Sequence, residues 1–115
     1  MKDKLLDSQK RLEHIFEAII TIEKFSKKED SVSFCENEML NNSILLQFII
    51  IGEAIIHVEA EILEKYDYPW YKVRSFRNMI AYEYFIIKLP AVWEIIQKNL
   101  PDIKAILQQI LIKEF

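Results

Sequence analysis

Turn-forming residues are scarce in this chain, which has one glycine and three prolines in 115 residues. All-β folds spend glycine and proline on closely spaced turns, so the scarcity excludes them and favours few, long helices. The single cysteine, Cys35, cannot close an internal disulfide, which fits a reducing cytoplasm, and it reads as a small half-buried apolar group. The two histidines, His14 and His57, lie far apart, and neither an HExxH spacing nor a cysteine pair accompanies them. Metal-ligand spacing is therefore missing, and no cofactor is expected. His14 stands among charged residues as a solvated surface group, and His57 reads as a histidine bonded to a neighbour or to water. The only glycine, Gly52, falls inside a helical pattern, so no glycine-rich loop exists to cradle phosphates, and no nucleophile elbow is present. Positive charge is not in excess either. The formal net charge is −3, so any nucleic-acid contact has to be local. The opening MKDKLLDSQKRLEH lacks the unbroken apolar core of a targeting segment. The most apolar run, Ile44 to Ile56, is interrupted by Gln47, Gly52 and Glu53 and falls short of the roughly 20 apolar residues of a membrane span. The expectation is a soluble protein with no membrane contact.

What is present is helical periodicity. From about Lys4 to Phe25, Leu5, Leu12, Ile15, Phe16, Ile19 and Ile22 recur at spacings of three and four, opposite a charged face. Ser26 to Ser33 is polar and reads as a loop. A second helix is predicted to start near Phe34 to Asn37 and to run to Lys65, about eight turns. It is apolar on two sides, so it is either central or faces both its own bundle and another subunit. Gly52 costs this helix about 1 kcal/mol against alanine, which a close helix crossing would offset. Asp67-Tyr68-Pro69 marks a break, with Asp67 a candidate cap. A third helix is expected from about Pro69 to Tyr82, then a turn or extended link over Tyr84 to Lys88. A fourth spans Pro90 to Asn99, and Pro101 opens a last one at its first position. The expected architecture is a single all-α domain over residues 1–115, an up-and-down bundle of four to five helices.

One stretch does not read as packing. Pro69 to Phe85, PWYKVRSFRNMIAYEYF, holds three cationic side chains, one asparagine and six aromatic rings in seventeen residues. Arg77-Asn78 is followed by Tyr82 and Tyr84 within one or two helical turns, so a cation, an amide and two phenols can share a face. Glu53 lies among apolar residues on the long helix. A buried carboxylate needs a cation or donors, and Arg74 or Arg77 could supply one.

The chain resembles the HEPN-domain, HepT-like toxins of bacterial and archaeal toxin–antitoxin modules. The resemblance rests on Arg11-Leu12-Glu13, Ile51-Gly52-Glu53-Ala54, Pro69-Trp70, Arg77-Asn78 leading to Tyr84-Phe85, Val92-Trp93 and Leu100-Pro101, and it covers nearly the whole chain. It implies an all-helical homodimer that cuts RNA without a metal, in a cleft where two motifs meet. It also implies a small nucleotidyltransferase antitoxin that can silence the toxin by placing AMP on the motif tyrosine. The family motif is an arginine, four residues, a histidine, one residue and a tyrosine. Arg77 takes the arginine position and Tyr84 the AMP-accepting tyrosine position, with Asn78 orienting the site and Glu53 and Arg74 supporting it. Tyr82 stands where the family has histidine. Histidine titrates near pH 6.5 and can trade protons at neutral pH, whereas an ordinary phenol ionises near 10 and is a poor base. Phosphate binding by Arg77 survives that replacement more easily than cleavage does.

Three functions are compatible with these residues. The first is a HepT-like ribonuclease weakened or altered by Tyr82. The second is an inactive binding module that docks a nucleotidyltransferase or a nucleic acid. In the third the aromatic rings only pack, Arg77 ties two helices together, and the bundle is an interaction scaffold.

Overall fold

A computed structural model describes residues 2–115. The described residues are helical with no strand, as the scarcity of turn residues predicts. The elements are α1 (Lys2–Ser26), α2 (Ser31–Glu36), α3 (Glu38–Ile56), α4 (Ala60–Leu63), α5 (Trp70–Tyr82), a 3₁₀ turn (Tyr84–Ile86), α6 (Leu89–Glu94), a π segment (Ile95–Asn99) and α7 (Leu100–Glu114).

The helix α3 is central and packs on α1 along one side and on α5 along another, while α1 also packs on α7. The core between them is aliphatic. Leu12, Ile15, Ile19 and Ile22 of α1 meet Ile44, Ile51 and Ile55 of α3 and Leu107 and Ile110 of α7 in one buried cluster. Phe34 of α2 is fully buried, with its ring centroid 5.4 Å from that of Trp93 in α6. Length and apolar content would let α3 cross a membrane, but here it is the middle helix of the bundle, with eight of its residues buried.

Three boundaries differ from expectation, each for a physical reason. The polar stretch after α1 is not all loop. Asp30 and Ser33 form a reciprocal capping box, with Ser33 N–H donating to Asp30 Oδ1 at 2.8 Å and Asp30 N–H donating to Ser33 Oγ at 3.0 Å, and this box starts α2. Asn37 then caps α3 by accepting from Leu40 N–H at 3.1 Å. The second difference is that the long helix ends at Ile56 and does not reach Lys65. Beyond it, Glu59 N–H donates to the fully buried Ser8 hydroxyl of α1 at 3.0 Å, and the chain restarts as α4.

Thirdly, the last two expected helices run together. Glu94, Ile95, Asn99 and Leu100 all have right-handed α dihedral angles, and the junction is a π segment with Leu100 N–H bonded to Ile95 O. Pro101 explains the irregularity. Its ring would collide with the carbonyl four residues back in a regular helix, and it has no N–H to donate there. One wide turn relieves both problems without breaking the helix. At the start of α5 no side chain caps the helix, so Asp67 does not act as predicted, and Pro69 holds the N-cap position.

Candidate functional site

The site forms where α5 crosses α3. Gly52 on α3 faces the root of Arg77 on α5. A β-carbon at position 52 would overlap Arg77 Cβ, come within 2.7 Å of Arg77 Cγ and within 3.3 Å of the Val73 carbonyl. The expected close crossing is therefore real, and the bare glycine lets Arg77 rise between the two helices. On the same side, Phe48 and Phe76 lock the crossing edge to face, with ring centroids 5.0 Å apart.

From that seat Arg77 reaches the surface with its side chain 20% exposed. Its Nη2 is 2.6 Å from Glu53 Oε2, one residue along α3 from the glycine. Its Nη1 donates to Asn78 Oδ1 at 3.0 Å, and its Cζ lies 5.7 Å from the centroid of the Tyr82 ring. The Nε atom is buried and has no hydrogen-bond partner among the described residues. Polar contact with Tyr82, and after it the charge of Glu53, push the Arg77 pKa further up against a desolvation that lowers it, so the guanidinium is a fixed cation.

Of the residues singled out in the sequence, Arg77, Asn78, Tyr82 and Glu53 converge. One expectation about this cluster needs correction, and one alternative is resolved. Glu53 is not a buried carboxylate, since its side chain is 49% exposed on the outer face of α3. Arg74 is exposed and makes none of the ion pairs found among the described residues, so Arg77 alone is the partner of Glu53. The reason is placement. Arg77 rises through the gap over Gly52, one position from Glu53, and Arg74 stands a turn away on the solvent side of α5.

Tyr84 sits beyond the end of α5 in the 3₁₀ turn, part-exposed, with its ring 5.7 Å from that of Phe85. Its hydroxyl donates to Asn42 Oδ1 on α3. No local sequence signal marks Asn42, because the bond spans 42 positions. Exposed apolar side chains border this region. Met39, Leu46 and Ile50 lie on the same outer ridge of α3 as Asn42 and Glu53, and Phe85 and Ile86 project from the turn. Phe85 is 97% exposed. His14 and His57 are both exposed, and among the described residues no three His, Cys, Asp or Glu side chains are grouped to hold a metal ion.

A family model described as ribonuclease HepT-like matches residues 15–110. The chain is 33% identical over 94 residues to a Methanocaldococcus jannaschii protein whose name joins gamma-glutamylcyclotransferase to a provisionally assigned RNase. That match covers 81% of this chain and 42% of the relative, so the chain spans less than half of that protein. A second M. jannaschii protein, provisionally named an RNase, is 30% identical over 91 residues, covering 78% of this chain and 84% of the relative. A similarly named protein of Caldanaerobacter subterraneus subsp. tengcongensis is 29% identical over 104 residues, covering 90% and 93%. No solved structure matches the chain at significance.

Proposed function

The chain belongs to the ribonuclease HepT-like family, and from that membership we propose that it is a metal-independent RNA endonuclease, the toxin of a toxin–antitoxin pair, acting in the cytoplasm as a homodimer. The observation that carries the reading is the gathering of Glu53, Asn78 and Tyr82 around the one guanidinium that Gly52 admits.

RNA can be cut by its own 2′-hydroxyl. That oxygen bonds to the neighbouring phosphorus, the bond from phosphorus to the 5′-oxygen breaks, and the proton lost by the 2′-oxygen is balanced by one gained at the leaving oxygen. Negative charge grows on the non-bridging oxygens meanwhile. Arg77 supplies N–H donors fixed in a fork that matches two such oxygens. Glu53 occupies Nη2 while the site is empty, so an incoming phosphate displaces a carboxylate from the guanidinium and exchanges one anion for another. Asn78 limits the rotation of the fork by holding Nη1. Tyr82, 77% exposed beside the guanidinium, is the hydrogen-bond donor available to the leaving oxygen. A neutral phenol donates but takes up protons poorly, so cleavage is slower than with histidine at that position.

The partners follow from the same family reading. A second copy would bring a second Arg77–Tyr82 pair against the first across the apolar ridge of α3. A nucleotidyltransferase antitoxin would find the Tyr84 hydroxyl accessible at the surface, held by Asn42, as an AMP acceptor. The alternative, an inactive module that only docks such a partner, is favoured by one residue, Tyr82.

The test is cleavage of end-labelled RNA by the purified protein in EDTA. Cleavage is expected from the wild type, with a drop of about 100-fold or more in Arg77→Ala and a rise of at least about tenfold in Tyr82→His. An inert wild type made active by Tyr82→His would establish the docking module instead. Cleavage unaffected by Arg77→Ala would remove the site altogether.

A further inference from the structure

Beside the α3–α5 crossing lies a cavity of about 510 Å³, lined also by the π segment and α7. We propose that this cavity binds a net-neutral amphiphilic small molecule, with an apolar body the size of one or two fused rings and a head that both donates and accepts hydrogen bonds.

The volume lies within the range of about 300–1,000 Å³ typical of small-molecule sites. Its floor is apolar. Phe48, Ile51, Leu100 and Ile103 are buried there, and Phe76 is half-buried. The polar lining residues Lys72, Asn99 and Asp102 are exposed and therefore ring the mouth, with Tyr68 half-buried below them. An apolar floor under a few convergent polar groups is the common form of a ligand pocket. The opening is also built into the backbone. Ile95, Asn99 and Leu100 line it from the wide turn that Pro101 imposes, and such π turns recur at functional sites.

The charges at the mouth select the ligand. Lys72 and Asp102 take part in none of the ion pairs found among the described residues. A cationic head attracted to Asp102 meets Lys72, and an anionic head attracted to Lys72 meets Asp102. A neutral head avoids both repulsions and can still accept from the ammonium and donate to the carboxylate. Burial first, and the Asp102 charge second, push the Tyr68 pKa up, so its phenol stays a donor at the edge of the cavity. None of Arg77, Asn78, Tyr82 and Glu53 lines the cavity, and the proposal rests on no part of the RNA reading.

The experiment is calorimetric titration of the full chain with three probes of one shape: 1-naphthol, 1-naphthoate and 1-naphthylmethylammonium. Saturable binding of 1-naphthol at one per chain is expected, at least about tenfold tighter than either ion. Lys72→Gln should raise the affinity for the ammonium probe, and Asp102→Asn the affinity for the carboxylate. Both positions are exposed, so the fold is kept. Arg77→Ala should leave all three affinities unchanged. Absence of saturable 1-naphthol binding overturns the proposal, as does a charge preference that neither mouth substitution moves.

Discussion

An alanine at position 52 would set its β-carbon against Arg77 Cβ and 2.7 Å from Cγ. Helix propensity alone favours that alanine by about 1 kcal/mol. Overpacking a tight contact costs about 1–3 kcal/mol, and here the opposing atom is a β-carbon that no rotamer change can move. The helices would have to part, so the clash outweighs the propensity. Gly52→Ala should lower stability by about 1–2 kcal/mol in urea unfolding, and it should weaken RNA cleavage as Arg77 shifts off Glu53. A stability gain would mean that the two helices can part at this crossing at little cost. The need for a close approach at Gly52 was legible in the sequence, as was a cation for Glu53. Which arginine meets Glu53 was not. Arg74 and Arg77 are three positions apart and both fall near that helix face, and only the gap over Gly52 distinguishes them. The exposure of Glu53 was hidden for a related reason, because its apolar sequence neighbours Ile51, Ala54 and Ile55 point to the core while it points outward.

Apolar periodicity located α1, α3, α5 and α7, since each carries a stripe that the core demands. Its limit shows at the end of α3. Val58 and Ile62 continue the apolar spacing and are both buried, so the pattern runs through the break without a mark. No glycine or proline stops the helix there. The stop is set by Ser8, 51 positions away, which receives the Glu59 N–H on a fully buried hydroxyl. Ser8→Ala would leave that donor without its partner, at a cost of about 1–3 kcal/mol. The expected result is a matching loss in urea unfolding and faster amide exchange at Glu59. An unchanged exchange rate would show that water or the α4 backbone satisfies the donor. The capping box that starts α2 was different in kind. Asp30 and Ser33 carry the signal at the right spacing, but serine in place of the usual Glu or Gln, in a helix of only six residues, makes it read as loop.

At the scale of the molecule, the unresolved balance is between the apolar surface the bundle buries and the apolar surface it leaves. The aliphatic core is buried, yet Leu46 is 54% exposed, Ile86 64% and Phe85 97%, beside the Tyr84–Asn42 bond that fastens the turn to α3. Ile50 and Met39 extend the same ridge. Burial of apolar surface is worth about 25 cal/mol per Å², so this ridge is the surface on which the proposed homodimer would gain most from contact. A second copy is the occupant that would also complete the proposed RNA site. In an interface related by a two-fold axis, one substitution acts twice, because each copy presents the same patch. Leu46→Glu should therefore convert a dimer to a monomer in light scattering at micromolar concentration, with a far-UV spectrum like that of the wild type. Ile112→Glu is the control. Ile112 is 80% exposed on α7, so it tests added charge at an apolar position on another element. It should leave the dimer intact. If the site is composite, the Leu46→Glu monomer loses RNA cleavage with Arg77, Asn78 and Tyr82 all in place. A wild type that is already monomeric, or a Leu46→Glu monomer that cuts RNA as fast as the parent, would separate the apolar ridge from the chemistry and leave Arg77 to act within one copy.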